Sequence, residues 1–234
     1  MPTTVYLIPT VLSEGQTDCL PVYIVDAVKN CTVFFVENER TARRFLKLIW
    51  REMVIDDYEW YNMKEATEEI GSAFRQKIKE QKNIGIISEA GCPAVADPGQ
   101  HLVAIAQQLN VPLKPLVGPN SILLALMASG MNGQQFQFLG YLPIDVADRI
   151  KAIKQLESES RQKHCTQIFI ETPYRNNQLL ETLTKTLHPQ TKICVAVDLT
   201  SPTEMVQTKT AQQWKTSMPQ LHKRPAIFLV YSGE

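Results

Sequence analysis

The chain has 234 residues, which is long enough for one large domain or for two small ones. Its hydrophobic fraction of 44% and its charged fraction of 21% are typical of a globular, soluble protein. Lysine plus arginine equals aspartate plus glutamate at 24 each, so the net charge is zero. This balance gives no support to a broad nucleic-acid-binding face, although a local basic patch stays open.

The cysteines and histidines give no sign of a disulfide framework or a metal site. The five cysteines are scattered and include no C-x-x-C pair, so we expect reduced thiols. The four histidines show no ligand spacing, and we expect no metal. The first residues, M-P-T-T, lack the features of a signal peptide, and no apolar run could span a bilayer. We therefore expect a soluble, cytoplasmic protein without a membrane partner.

Predicted strands and helices alternate along the first half of the chain. The strands are predicted over 5–8, 32–36, 84–87 and 113–117, and the helices over 21–29, 41–50, 62–80, 97–110 and 121–129. Residues 51–61 mix acidic and aromatic side chains, and we interpret them as a solvated loop with aromatics packed beneath it. Pro115 predicts an edge strand or an irregular one. The alternation predicts a mainly parallel sheet covered by helices.

A second unit is predicted to begin near Gly118, which gives one lobe over 1–117 and another over 118–234. Its predicted strands cover 136–140, 167–170, 193–197 and 226–231, and its helices cover 145–160 and 176–187. No linker rich in proline or serine separates the two halves. The predicted fold class is therefore α/β, with two α/β lobes packed directly together.

Several common catalytic motifs are missing. The sequence contains no G-x-x-x-x-G-K-[ST] phosphate loop, no G-x-G-x-x-G dinucleotide turn and no G-x-S-x-G nucleophile elbow. These absences weaken the hypotheses of a nucleotide hydrolase, a dehydrogenase or an esterase. They also argue against the common methyltransferase fold, whose first strand ends in a glycine-rich turn.

The candidate functional residues lie in loops at the ends of predicted strands. Residues 83–99 read N-I-G-I-I-S-E-A-G-C-P-A-V-A-D-P-G, which predicts a buried strand, a small-residue loop and a helix start. Ligands of open α/β sheets bind just beyond the carboxyl ends of the strands. The loops at 9–10, 118–121, 171–175 and 198–200 are predicted to face the same crevice. The N–H groups at 118–121 could bind a carboxylate or phosphate, or belong to a plain helix cap.

Five residues of these loops are candidates for a structural or a functional role. We interpret Asp97, before Pro98, as a helix-capping residue. Glu89 could bind a ribose hydroxyl or an amine. Glu171 and Arg175 are four residues apart around a proline, so they could form an ion pair that closes a loop, or they could hold a substrate. Cys92 has no adjacent base and is interpreted as a packing residue.

Four motifs occur in the order found in one known family. Residues 88–93 read S-E-A-G-C-P and 97–99 read D-P-G, similar to S-D-A-G-T-P…D-P-G. A G-P turn lies at 118–119, G-Y-L-P at 140–143 and I-E-T-P-Y-R at 170–175, where the family has G-[FY]-L-P and Y-E-S-x-x-R. The chain thus resembles the tetrapyrrole methylase superfamily of S-adenosylmethionine-dependent methyltransferases. Its pattern is most similar to the branch that methylates a ribose 2′-hydroxyl of small-subunit ribosomal RNA.

The resemblance implies a fold, a cofactor and a set of binding residues. It implies two α/β lobes with S-adenosylmethionine in a cleft between them, and a homodimer. By position, it implies cofactor contacts from Pro9, Glu89, Gly91, Val95, Asn120, Ser121, Glu171, Leu199 and Pro225. Backbone groups of the loops would hold the two ends of the cofactor, carbonyl oxygens suit its positive sulfonium, and small residues allow close approach.

The methyl acceptor is less closely defined. If it is a hydroxyl, a base must take its proton, and the candidates are Glu171 and Glu37. Arg40 and Arg175 could bind the phosphates of ribosomal RNA, or be ordinary ion-pair partners. The first loop reads P-T-V-L-S-E at 9–14 where the RNA branch has P-T-P-I-G-N. Three hypotheses stay open, with RNA ribose methylation leading a tetrapyrrole-like small-molecule methylase and a non-catalytic cofactor-binding protein.

Overall fold

The computed structural model describes residues 3–64 and 67–233. The chain forms two compact units, of which the first ends at Asn120 and the second begins at Ser121. Each unit contains one five-stranded sheet with helices, which confirms the predicted α/β class. Among the described residues, no helix has the length and apolar character needed to cross a membrane.

The first unit is built on a parallel sheet. Its strands are β1 (Val5–Ile8), β2 (Val33–Val36), β3 (Glu59–Asn62), β4 (Ile84–Ile87) and β5 (Leu113–Pro115), in the order β3-β2-β4-β1-β5. Every neighbouring pair is parallel, as the alternation of elements predicts. Its helices are α1 (Ile24–Lys29), α2 (Glu39–Ile49), α3 (Glu68–Lys79) and α4 (Gly99–Gln108). Strand β5 lies at an edge, which agrees with the position of Pro115.

The sheet of the first unit is buried on both faces, which explains its continuous apolar strands. On one face, Ile8, Phe34 and Ile87 pack with apolar residues of α1 and α2. On the other face, Phe35 and Ile86 pack with apolar residues of α3 and α4. Alternate residues of a strand point to opposite faces of the sheet. Each four-residue strand therefore supplies apolar side chains to the hydrophobic cluster on either face.

The interpretation of residues 51–61 as a loop is wrong for its last part. A 3-10 turn (Ile55–Asp57) leads into β3, which pairs in parallel with β2. Trp60 and Tyr61 stack on Phe34 and Phe35 with ring centroids 5.0 and 4.7 Å apart, and this contact between strands outweighs the polar local composition. The predicted helix over 62–80 begins only at Glu68, and its residues 65–66 lie outside the described part of the chain.

The second unit has a mixed sheet. Its strands are β6 (Phe136–Tyr141), β7 (Thr166–Ile170), β8 (Lys192–Val197), β9 (Met205–Thr210) and β10 (Ala226–Tyr231), in the order β6-β7-β10-β8-β9. Only β6 and β7 are parallel neighbours in this sheet. Its helices are α5 (Ser121–Ser129), α6 (Val146–Lys163), α7 (Asn176–Thr186) and α8 (Ala211–Thr216). Strand β9 and helix α8 are not predicted from the sequence.

Candidate functional site

In the first unit, the loops after β2 and β4 are joined by carboxylate and amide side chains. Glu37 Oε2 accepts the backbone N–H of Glu89 at 2.8 Å. Asn38 Nδ2 donates to Glu89 Oε1 at 3.4 Å, and Asn38 Oδ1 caps the N-terminus of α2. The structure therefore brings together Glu37 and Glu89, two of the residues singled out by sequence. Glu37 holds the loop that carries Glu89.

Arg40 is the second residue of α2 and lies close in sequence to Glu37. Its side chain is exposed, and it makes no hydrogen bond or ion pair with the residues that the structure describes. Its backbone N–H is held by Asn38 Oδ1 at 3.1 Å. Arg40 is thus available to an anionic ligand, and its role in substrate binding stays a prediction.

The loops after β1 and β4 approach each other closely at Gly91. The Thr10 N–H donates to Gly91 O at 2.9 Å. Gly91 has a φ of +74°, and a Cβ there would lie 3.1 Å from Leu12 Cδ2 and 3.2 Å from Pro119 O. The positive φ therefore favours glycine at this position, and a Cβ would require Leu12 or Pro119 to shift by a few tenths of an ångström.

The segment 118–120 completes the same group of loops. A Cβ on Gly118 would lie only 2.2 Å from Pro9 Cβ, so this position admits no side chain. Cys92 Sγ lies 3.4 Å from Pro119 O. Burial raises the pKa of the Cys92 thiol, although a hydrogen bond with the Asn120 side chain lowers it. The structure thus gathers Pro9, Gly91 and Asn120 of the predicted cofactor set.

The loop before α4 is held in a strained backbone conformation. Ala94 and Ala96 have φ values of 67° and 60°, in the left-handed region that is costly for alanine. Asp97 Oδ1 accepts the N–H of Gly99, the first residue of α4, at 2.7 Å, which confirms its predicted capping contact although Pro98 occupies the N-cap position. Burial raises the pKa of Asp97, despite backbone hydrogen bonds that lower it. Val95 lies exposed on this loop.

We expect Ala96→Gly to raise the free energy of unfolding by about 0.5–1 kcal/mol, because relief of the left-handed strain exceeds the entropy gained by the unfolded chain. Ala96 is exposed, so its methyl group contributes little packing. The matched control is Ala104→Gly inside α4, which should lower the free energy by about 1 kcal/mol. Urea denaturation of both variants measures the two opposite signs, and a loss of stability for Ala96→Gly would contradict the strain.

A groove of about 550 Å³ lies at the carboxyl ends of β1 and β4. Its walls are the loop after β1, one face of α2 and the loop after β4. The lining residues are Thr10, Val11, Leu12, Glu14, Gly15, Thr41, Ala42, Arg44, Phe45, Lys47, Leu48, Ser88, Glu89 and Ala90. The contribution of α2 is not predicted from sequence. The only feature of α2 that indicates a groove wall is Leu48, an apolar residue that is 53% exposed. The sequence does not show this exposure, which depends on how α2 packs.

In the second unit, Glu171 and Arg175 form the ion pair that was one of the two predicted possibilities. Glu171 Oε1 accepts from Arg175 Nη2 at 2.6 Å, from Arg175 Nε at 3.0 Å and from the Thr172 N–H at 2.6 Å. The Glu171 side chain is 1% exposed, whereas that of Arg175 is 30% exposed. The pair fixes the loop after β7 and leaves one side of the guanidinium accessible.

The loop after β8 brings together Leu199 and Pro225. The N–H of Asp198 donates to Pro225 O at 3.0 Å, and Leu199 follows as a buried residue. Arg224 Nε donates to Asp198 Oδ2 at 2.8 Å. The role of Arg224 in fixing this loop is not predicted from sequence, since it depends on β10 lying beside β8.

Two further features concern this end of the second unit. Asp198 and Thr200 have φ values of 49° and 71°, so the loop after β8 is strained like the loop before α4. Ser121, the remaining predicted cofactor residue, is the first residue of α5. Strained residues of this kind often cluster at functional sites. The position of the cofactor stays a prediction.

The described geometry defines an α/β protein of two units, with carboxylates and small-residue loops at the carboxyl ends of its strands. Residues 13–214 match the family model described as "Tetrapyrrole (Corrin/Porphyrin) Methylases". The chain therefore belongs to this family, and the family resemblance predicted from the four motifs is confirmed.

The comparisons with individual proteins agree with this family. The chain is 30% identical over 184 residues to "Ribosomal RNA small subunit methyltransferase I" of Micromonospora olivasterospora, covering 79% of this chain but only 56% of that relative. The crystal structure of diphthine synthase is similar with a TM-score of 0.70 and 11% identity, over 98% of this chain and 90% of that one.

A second solved structure has the same fold and a named ligand. It is the crystal structure of uroporphyrin-III C-methyl transferase from Thermus thermophilus in complex with S-adenyl homocysteine. Its TM-score is 0.57 at 15% identity, over 98% of this chain and 97% of that one. At such identities the two solved structures establish the fold alone.

Proposed function

We propose that the protein transfers a methyl group from S-adenosylmethionine to RNA, with a ribose 2′-hydroxyl of small-subunit ribosomal RNA as the leading acceptor. The observation that carries the proposal is the cradle of loops around Gly91, whose φ is +74°, and Gly118, where a Cβ would overlap Pro9, in a chain of this family. The name of the Micromonospora relative supports RNA as the acceptor. The proposal includes a homodimer located in the cytoplasm.

The residues present fit the cofactor. In the first unit we propose that Pro9, Glu89, Gly91, Val95 and Asn120 hold it, and in the second unit Ser121, Glu171, Leu199 and Pro225. Loops of small residues let backbone groups approach a ligand closely, and carbonyl oxygens favour a cation. The Thermus complex supports a cofactor of this kind. When bound, S-adenosylmethionine supplies a methyl group made reactive by its positive sulfonium.

The work of the protein is then to orient the acceptor and to accept its proton. Holding two reactants in line contributes about 7–11 kcal/mol in well-oriented reactions. Glu171 Oε1 already accepts three N–H groups, so its geometry favours a role in holding the loop. Glu37 receives its one hydrogen bond from the described residues at Oε2, which leaves Oε1 for a proton. Glu37 is therefore the better supported base.

Two arginines are proposed to bind the phosphates of the RNA. The Arg40 side chain is exposed and makes no hydrogen bond or ion pair with the described residues, and the Arg175 guanidinium is partly exposed beside Glu171. An arginine can bind a phosphate through two parallel hydrogen bonds. Methylation of a small molecule is the second candidate, and the zero net charge of the chain favours it.

Two measurements on the purified protein test the proposal. Calorimetric titration with S-adenosylmethionine and with S-adenosylhomocysteine should each show saturable binding. Transfer of a labelled methyl group to undermethylated small ribosomal subunits should follow, and RNA binding should weaken steeply with added salt. A folded protein that binds neither ligand at millimolar concentration would overturn the methyltransferase proposal. Transfer only to tetrapyrrole substrates would replace RNA with a small-molecule acceptor.

A further inference from the structure

We infer that the groove between the loop after β1, α2 and the loop after β4 binds the nucleobase of the acceptor nucleotide. This inference rests on the proposed function, since it gives that RNA substrate a place on the first unit. Proteins that recognise a particular site in an RNA usually bind unpaired nucleotides, whose bases are splayed out and contacted on their faces and edges.

The size and the walls of the groove suit a flat heterocycle. Its volume of about 550 Å³ is in the range of small-ligand sites and exceeds what one base needs, so part of the sugar also fits. Val11 and Leu12 come from the loop, while Phe45 and Leu48 come from α2. The two faces of a base are apolar, and side chains on opposite walls can contact both.

Thr10, one of the residues that line the groove, has a buried hydroxyl without a partner. Thr10 is 3% exposed, and its Oγ1 has no hydrogen-bond partner among the residues that the structure describes. A buried polar atom without a partner is uncommon and needs an explanation. The nearby Ser88 Oγ makes only long contacts, 3.4 Å to Gly91 O and 3.5 Å to Ala90 O. A ligand with hydrogen-bonding groups along its edge could supply partners for these two hydroxyls.

The charges of the groove favour a base over a polyanion. Arg44 is paired with Glu14 at 2.9 Å, and the Lys47 ammonium donates to the backbone oxygens of Arg51 and Met53. Backbone oxygens thus engage the Lys47 ammonium and Glu14 partly neutralises the Arg44 guanidinium, so a ligand with many carboxylates would have few partners here. The Glu89 carboxylate adds an acceptor at the rim, and carboxylates accept from the exocyclic amino groups of bases. The groove therefore favours a base with an amino group.

The test compares two groove variants with one matched control. Thr10→Val removes the hydroxyl with little change of shape, and Leu48→Ser removes an apolar wall. Leu109→Ser is the control, since Leu109 lies at the end of α4, outside the groove lining, and is 47% exposed against 53% for Leu48. Both groove variants should raise the KM for RNA about tenfold, leave the Kd for S-adenosylhomocysteine within twofold and keep kcat. The control should match the unmodified protein.

Thr10→Val has a second readout that a merely structural role would not give. Without RNA, the variant should be at least as heat-stable as the unmodified protein, because a buried hydroxyl without a partner becomes a methyl group. A lower Tm together with a higher KM would indicate general damage to the loop and would overturn the inference. An unchanged KM in both groove variants would also overturn it. Weaker binding of S-adenosylhomocysteine by both would assign the groove to the cofactor instead.

A direct titration separates this inference from the proposed function. Nuclear magnetic resonance of labelled methyl groups should show shifts at Val11, Leu12 and Leu48 with adenosine or cytidine 5′-monophosphate, and none with ribose 5-phosphate. The absence of shifts with both nucleotides would overturn the base-binding groove even in an active methyltransferase. A protein that shows the shifts but transfers no methyl group to RNA would instead contradict the proposed function alone.

Discussion

Replacement of Glu171 by alanine is expected to lower the free energy of unfolding by about 2–3 kcal/mol and to reduce methyl transfer at least tenfold. The side chain is buried, and its Oε1 accepts three hydrogen bonds from Arg175 and Thr172. Loss of one partner of a buried ion pair is costly because the other remains desolvated. Arg175 is partly exposed, so water can solvate its guanidinium once Glu171 is removed. The expected loss of stability is therefore smaller than for a fully buried pair.

The matched control for this variant lies on α7 of the same unit. Glu181 pairs with Lys185 at the same spacing of four residues, but both side chains are more than half exposed. Glu181→Ala should therefore change stability by no more than about 0.5 kcal/mol. Urea denaturation followed by circular dichroism and the methyl-transfer assay measure both variants. Equal losses of stability and activity in the two variants would show that burial of the Glu171–Arg175 pair does not determine its contribution.

The second large effect is expected for Gly118→Ala. The new Cβ would lie 2.2 Å from Cβ and 2.4 Å from Cγ of Pro9, whose ring cannot rotate away. The two loops must separate, which should cost about 1–3 kcal/mol of stability. Because both loops belong to the proposed cofactor cradle, we expect the affinity for S-adenosylhomocysteine to fall at least tenfold in a calorimetric titration.

Gly133→Ala is the control for the glycine substitution. A Cβ at Gly133 would meet no atom within 4 Å, so this variant should bind S-adenosylhomocysteine as the unmodified protein does. If Gly118→Ala bound the ligand with unchanged affinity while losing stability, the close approach of the loops would be structural, and the cofactor would have to be held elsewhere.

The buried strands could be predicted from sequence because each is an uninterrupted apolar run. The predicted bounds of β1, β4 and β10 agree with the structure at both ends. Strand β9, with the sequence M-V-Q-T-K-T, lies at an edge and is partly exposed, so its composition carries only a weak signal. Strand β3 depends on the stacking of its aromatics on β2, and a contact between distant segments leaves no local pattern.

The candidate site was predictable only as far as its loops. The motifs identify the family and the loops at the strand ends, and the roles of the residues in them stay predictions. The hydrogen bond from Glu89 N–H to Glu37 joins segments 52 residues apart. Whether the Thr10 hydroxyl has a hydrogen-bond partner depends on the residues that pack around it in the folded chain. Neither feature can be deduced from the spacing of residues along the chain.

The position of β10 has a consequence for the order in which the protein is made. This strand comes after the other nine strands, yet it lies in the middle of its sheet, between β7 and β8. Chains are synthesised at about 5–20 residues per second, so the strands of the second unit wait several seconds on the ribosome before β10 can join them. In the first unit, the central strand β4 is made before the last strand, β5, which pairs at an edge, so the middle of that sheet is filled earlier in its synthesis. While the second unit is being synthesised, the first unit can therefore already be folded, whereas the second sheet still lacks its central strand.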